Sequence, residues 1–409
     1  MEAYFGLLIL GVLAFVILWA EGVLKSKGAL FAAAGLILAA MVLRGLCMNY
    51  ETLDYKDFLT RWVRTLREQG GFEGLRWSIG NYNVPYLYFL ALFSYSKIRD
   101  LYLIKLLTIA FDVVLAWGVL RLTRRVTDRS GKALGAFLVT LFLPTVVLNG
   151  ALWGQCDSIY TAFAVWSLYF ALDDKPIASV CFIALSFAFK LQAVFLMPVF
   201  LIFLFARKIK WWHLVFFPIT YVVTILPAVL AGRPFLSTLL LYFRQADTVG
   251  GGLNYNSSSV YAFLRNVQDE TMMAKLGILA AFAFLLLLYV YCFVRRRDLN
   301  DRTLLVSALL ISVAVPFFLP HMHDRYFFIA DVLSMAFAFQ FVTLIHVPVC
   351  VSFASLMGYH AYLTMRWFLG RPQSLAWGAA ALLLVILTLI VTLASTMAQD
   401  GGTVRKRAH

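Results

Sequence analysis

The residues able to do chemistry fall into a few short groups. Asp54, with Asp57 one turn on, lies in LDYKDFLTRW, and Tyr82 and Asn83 stand in GNYNVP. Asn149, Trp153, Gln155 and Asp157 belong to NGALWGQCDS, and Lys190 and Gln192 to FKLQA. His321, His323, Asp324 and Arg325 make up HMHDR. A carboxylate such as Asp54 can take a proton from an attacking hydroxyl. Cations at Lys190 and Arg325, with imidazoles at His321 and His323, can neutralise a phosphate leaving group. Rings such as Tyr82 and Trp153 can stack on sugar faces. Acid, bases and surrounding apolar surface together suit a lipid-phosphate donor attacked by a hydroxyl.

Each group also has a plainer reading. Asp54 suits the polar face of an amphipathic helix, and Asp157 suits a helix cap. Lys190 has two anions on offer, Asp157 or a donor phosphate, and the phosphate is the favoured partner. The one-residue spacing of His321 and His323 does not by itself make a metal site. Asp112 and Asp331 read as packing groups satisfied by neighbouring helices, and Arg44 as a cation that snorkels to the surface.

The elements that carry these groups are membrane helices. Of 409 residues, 62% are hydrophobic and only 14% charged, against roughly 45–50% and 25% in soluble domains, which excludes a soluble enzyme. A span needs about 20 apolar residues. Apolar runs begin near residues 4, 29, 101, 133, 158, 177, 193, 213, 274, 302, 327, 348 and 374, giving an expected all-α polytopic protein of about 13 transmembrane helices. The sixth and seventh runs are short and meet at Lys190, so a kinked or re-entrant pair is expected there. The five cysteines form no CxxC pair and read as packing residues. The N-terminus has no basic region ahead of its first apolar run, which reads as a retained span.

The net charge of +14 is read as positive-inside loops rather than nucleic-acid binding. Lys25 and Lys27, Arg121 to Lys132, Lys175, Arg207 to Lys210, Arg295 to Arg302, and the tail's Arg405, Lys406 and Arg407 then share the cytoplasmic side. The polar groups named first all fall on the other side, although the orientation uses loop charge alone. Ionisable groups near hydrocarbon are functional candidates by default. The two external loops, 48–100 and 232–273, are long enough to suggest function. In the first, Asp54, Phe58, Arg61, Trp62 and Thr65 recur on one helical face, and Gly70-Gly71 ends the helix. This segment and 84–98 are expected as juxtamembrane helices of a single domain, 1–409.

Four patches carry a family resemblance: LDYKDFLTRW (53–62); GNYNVPYLYFLAL (80–92) with LYLIKLLTIAFDVVLAW (101–117); NGALWGQCDS with FKLQA; and LPHMHDRYFF (319–328). The chain resembles GT-C glycosyltransferases that use polyprenyl-phosphate-linked sugars, with the closest likeness to bacterial Gpi18-like mannosyltransferases. The DY…W and HMHDR segments are similar to those of dolichyl-phosphate-glucose glucosyltransferases. Asn83-Val84-Pro85 stands where the family often has Tyr-Pro-Pro, Asp324 where it often has Glu, and Leu53 where a Gly often precedes the loop aspartate. The resemblance implies Asp54 as catalytic base and His321, His323, Arg325 and Lys190 as donor-phosphate ligands. Asp157, Gln155, Gln192, Trp153, Tyr82 and Asn83 would then meet sugar or acceptor.

The expected activity is an inverting hexosyltransferase of the cell membrane, with its site facing outward. It would transfer mannose or another hexose from a polyprenyl-phosphate donor to a glycan, lipid or protein hydroxyl. Membrane lipid is a partner; nucleic acid is not; neither metal nor cofactor is expected. A lipid or sugar transporter or flippase would use the spans equally well, but would have midplane access and no need of the acid-bearing loop. A transferase holding a metal through His321, His323, Asp54 and Asp157 is a further alternative.

Overall fold

The computed structural model describes residues 1–127, 129–242, 251–264 and 268–407. Residues 243–250 and 265–267 of the second long loop, and the side chains of Arg405, Lys406 and Arg407, lie outside the described residues. The first helices are α1 (Glu2–Ala20), α2 (Lys27–Cys47), α3 (Thr60–Glu68) and α4 (Val84–Ser94). Next come α5 (Asp100–Val126), α6 (Ser130–Phe142), α7 (Pro144–Val147) and α8 (Asp157–Leu172). The middle of the chain forms α9 (Pro176–Phe189), α10 (Val199–Phe205), α11 (Phe216–Leu230) and α12 (Phe235–Leu239). The last helices are α13 (Glu270–Val294), α14 (Asp301–Phe318), α15 (Phe328–Gln340), α16 (His346–Thr364) and α17 (Arg371–Arg407). Several start where a polar side chain accepts from a free backbone N–H. Ser26 does so for α2, Asn83 for α4, Asp269 for α13 and Asn300 for α14.

A helix lies near each expected starting point, but thirteen spans do not follow. Eight helices among the described residues are long and apolar enough to cross a membrane, or nine if α6 and the segment Pro144–Trp153 count as one span bent by 46°. The shortfall lies beside the chemical motifs. The helix α8 has 16 residues, α9 has 14, α15 has 13 and α10, after FKLQA, only 7, reaching roughly 10–24 Å against a hydrocarbon core of about 30 Å. Their apolar runs continue into WGQCDS, FKLQA and HMHDRYF, which are mostly loops and tight turns. At the expected kink, Lys190 is extended (φ −155°, ψ 133°) between α9 and a 3₁₀ turn at Leu191–Phe195.

One network fixes which ends of the helices lie together. Glu21, after α1, pairs with Arg121 and Arg124 at the end of α5. Arg125 meets Asp173 after α8 and Asp301 at the start of α14, and Lys208 meets Asp174 and Asp301. These basic loops therefore occupy one end of the bundle. Asp157, Lys190 and the HMHDR loop lie at the opposite ends of α8, α9 and α14.

Helix α14 is buried along nearly its whole length, whereas α1 and α13 expose apolar side chains such as Leu8, Val12, Leu279 and Leu286. A helix apolar all round and open on one side suits lipid contact. Arg44 does not snorkel. Both Arg44 and Asp112 are wholly buried, and Arg44 Nε and Nη2 donate to Asp112 Oδ2 at 3.0 and 2.9 Å. Its Nη1 donates at 2.9 Å to the Leu141 carbonyl, beside the α6 break, where Pro144 has no N–H to offer. Asp112 Oδ1 accepts from Ser158, one residue past Asp157. Asp331, expected as a packing group satisfied by its neighbours, accepts from Ser355 through Oδ2, while Oδ1 has no hydrogen-bond partner among the described residues.

Candidate active site

The Asp54 segment is held from two sides. Thr52 Oγ1 donates to the Trp153 carbonyl at 3.1 Å, and Tyr55 donates to Asp100 at 2.8 Å. Lys105 of α5 donates to the Cys47 and Tyr50 carbonyls at 2.7 Å, closing the end of α2. The buried stripe of the following helix is Tyr55, Leu59, Val63 and Leu66, adjacent to the face read from sequence; Phe58 and Arg61 are exposed. The first turn of this helix, Tyr55–Leu59, is π-helical. Asp57 is exposed and pairs with Arg61, so Asp54 is the carboxylate that meets the other motifs.

Asp54 Oδ2 accepts from Trp153 Nε1 at 2.9 Å and from Gln155 Nε2 at 2.6 Å. Gln155 Oε1 accepts in turn from Tyr82 at 3.1 Å. Trp153 ends a π-helical turn at Leu148–Trp153, Gly154 closes that turn, and Gln155 follows directly. Gly154 has φ 79°, a left-handed conformation that glycine adopts without Cβ strain. Trp153 is wholly buried, stacked on Tyr362 of α16 with ring centroids 4.1 Å apart. Its indole thus serves Asp54 from inside rather than presenting a face to a cavity.

Asp157 is buried and accepts from Asn149 at 2.7 Å through Oδ2, while Oδ1 is paired with Lys190. Arg325 lies between three carboxylates, 3.8 Å from Asp157, 3.8 Å from Asp324 and 3.9 Å from Asp54. None of these is a hydrogen bond, and Arg325 Nε has no hydrogen-bond partner among the described residues. Its guanidinium sits over Trp153, 5.1 Å from the ring centroid.

A cavity of about 640 Å³ opens beside this cluster. Tyr82, Asn83, Lys190, Gln192, His321, His323 and Arg325 line it; Asp54, Trp153, Gln155 and Asp157 do not. Asn83 is nonetheless tied up as the α4 cap and as donor to the Ala188 carbonyl. Two loops are stitched together at the cavity wall. Strand β1 (Asn254–Tyr255) pairs in parallel with β2 (Met322–His323), and His321 N donates to the Leu253 carbonyl. His321 Nδ1 lies 2.8 Å from the Gly252 carbonyl, which can only accept, so this nitrogen carries the proton. His323 stacks flat on Tyr255, centroids 4.7 Å apart. Burial first, then the cations Arg325 and Lys190, pull its pKa down to about 4, so it is neutral at pH 7. Burial pushes the Asp324 carboxyl up to about 7 despite Arg325.

Sequence reasoning did not single out Tyr255, Tyr326, Tyr359 or Tyr362. Tyr255 and Tyr326 line the cavity, and Tyr359 accepts from Asn149. Tyr326 lies within the LPHMHDRYFF patch but was not picked out of it, while the other three are isolated tyrosines within apolar or loop stretches, without a motif of their own. Among the described residues no three His, Cys, Asp or Glu side chains gather as a metal site. The set His321, His323, Asp54 and Asp157 therefore does not assemble.

A comparison with curated proteins finds no match. The family model for Glycosyltransferase family 87 matches residues 81–320, more than half of the chain, from the residue before Tyr82 to the residue before His321. With its several apolar spans, the chain belongs to glycosyltransferase family 87, of GT-C-type membrane glycosyltransferases.

Proposed function

We propose that this protein is an inverting hexosyltransferase using a polyprenyl-phosphate-linked sugar. The observation that carries the reading is the position of Arg325, which lines the cavity and also comes within 3.9 Å of Asp54, which does not. A donor phosphate in the cavity would meet Arg325, with His321, His323 and Lys190 on the same wall. An acceptor hydroxyl would approach from the Asp54 side. Its oxygen bonds to the anomeric carbon, the bond from that carbon to the phosphate oxygen breaks, and Asp54 takes the hydroxyl proton. The leaving polyprenyl phosphate keeps the electron pair, and the nearby cations stabilise it. One displacement inverts the anomeric centre and needs no second carboxylate as nucleophile.

The likeness to Gpi18-like mannosyltransferases favours mannose among hexoses. The shared basic end of the bundle supports an outward-facing site, because cytoplasmic loops carry the Lys and Arg excess. The protein reconstituted in lipid, given polyprenyl-phosphate mannose or glucose and a panel of glycan, glycolipid and peptide acceptors, should form a glycoside of inverted configuration. Turnover of nucleotide sugars alone, or retention of configuration, would overturn the reading.

A further inference from the structure

Arg325 is surrounded by more negative charge than the site can balance. Three carboxylates, Asp54, Asp157 and Asp324, stand around it, and the available cations are Arg325 itself and Lys190. His323, neutral near pH 7, adds none. Asp54 has two hydrogen-bond donors, and Asp157 has Asn149 and Lys190. Asp324 is buried, with Oδ1 lacking a hydrogen-bond partner among the described residues. Its surroundings offer little else: Gly358 and Tyr359 of α16, the Asn256 backbone, and His323 and Arg325 on its own loop. Among the described residues Arg325 is its one near cation, at 3.8 Å, and the Arg325 backbone N–H its hydrogen-bond donor. A buried ionised carboxylate with one oxygen left without a hydrogen bond is costly, and a neighbouring like charge makes it costlier. A phosphate arriving at Arg325 adds one more negative charge.

We propose that Asp324 is a proton-holding residue: its carboxyl is protonated while the donor phosphate occupies Arg325, and its ionisation draws the guanidinium back and weakens donor binding. This rests on the donor-phosphate reading above. Asp324 acts through Arg325, so it is a positioning residue rather than a catalytic one. The raised pKa of about 7 agrees with a proton held near neutral pH.

The test uses the full chain in nanodiscs and a polyprenyl-phosphate hexose, a phosphodiester whose own charge does not change near neutral pH. Infrared titration of wild type should show the carbonyl band of a protonated carboxylic acid that disappears as pH rises through about 7 and is missing in Asp324→Asn. Donor Kd should rise by up to about thirtyfold between pH 6 and 8.5 in wild type, as expected for one linked proton with a pKa of about 7, and stay flat and low in Asp324→Asn. A missing infrared band, or a wild-type Kd independent of pH, overturns the inference while leaving the donor reading in place. A titrating band in a protein that binds no polyprenyl-phosphate hexose overturns the donor reading and the proposed linkage, but not the protonation. Should Asp324→Asn fail to fold, the wild-type slope decides alone.

Discussion

The Arg325 guanidinium stops 3.9 Å from the Asp54 carboxylate, beyond hydrogen-bond distance but close enough for strong attraction. Asp54 keeps its place through neutral donors, Trp153 and Gln155, and Arg325 keeps its N–H groups for something else. A base fully paired with the same cation that receives the leaving group would serve neither role well.

Replacing Asp54, the proposed base, is the first prediction. Asp54→Asn should lower turnover by about 10²–10⁴-fold, the usual size for a general base. Asp57→Asn should leave it unchanged, because Asp57 is exposed and pairs with Arg61, away from the cavity. Initial rates with a polyprenyl-phosphate hexose check both. An active Asp54→Asn enzyme would remove the assigned role.

Trp153→Phe keeps an aromatic ring against Tyr362 and deletes the indole N–H donor to Asp54. A hydrogen bond to a charged group contributes about 1.5–3 kcal/mol, so kcat should fall by about tenfold or more while donor KM moves little. A change in KM alone would instead place Trp153 against the substrate.

The buried Lys190–Asp157 pair makes its own forecast. Lys190→Met should destabilise the protein by about 3–5 kcal/mol, since it strands a buried carboxylate, and adding Asp157→Asn should recover much of the loss. Thermal unfolding in detergent measures this. If Lys190→Met folds as well as wild type and only donor binding suffers, the cation belongs to the phosphate, as the sequence reading favoured.

Acidification has a defined sign at His323. Its pKa falls from 6.5 to about 4 on folding, so between these values the unfolded chain binds more protons than the native one. The stability tied to keeping this ring neutral is present above about pH 6.5 and is lost as pH falls toward 4. His323→Gln should flatten that part of the pH–stability profile; an unchanged slope would assign it to other groups.

Gly358→Ala tests how closely α16 approaches the site. The added Cβ would lie 2.5 Å from the Asn256 carbonyl oxygen and 2.6 Å from Asp324 Cβ. Overpacking of this kind costs about 1–3 kcal/mol. Reduced thermal stability together with impaired turnover is expected, and normal behaviour in both would show the loops to be free to shift.

The helix starts were legible because apolar runs are long and their borders polar, and the meeting of Lys190 with Asp157 was on offer as one of two pairings. The span count was not legible. Hydropathy does not separate an apolar helix from the apolar flank of a loop: α8 starts only within WGQCDS, α9 ends at FKLQA, and α15 starts only after HMHDRYF. Arg44 was misread because its partner Asp112 is distant in sequence and only packing joins them. Tyr255, Tyr359 and Tyr362 were invisible for a related reason: each matters through a neighbour, namely His323, Asn149 and Trp153. Trp153 itself was noticed, but a lone sequence does not say which way a ring faces.

The Arg44–Asp112 pair also constrains how the chain is made. Synthesis runs from the N-terminus, so α2 is complete while Asp112 is still unmade. A lone arginine is unfavourable in a nascent membrane helix, though less so in the last turn, where Arg44 lies, than at its centre. Until α5 arrives, α2 must rest with its guanidinium at the headgroups, or stay beside the insertion machinery, and settle only when the carboxylate comes. Insertion of the second helix is thereby coupled to the fifth, and a chain truncated before Asp112 would hold α2 poorly in the bilayer.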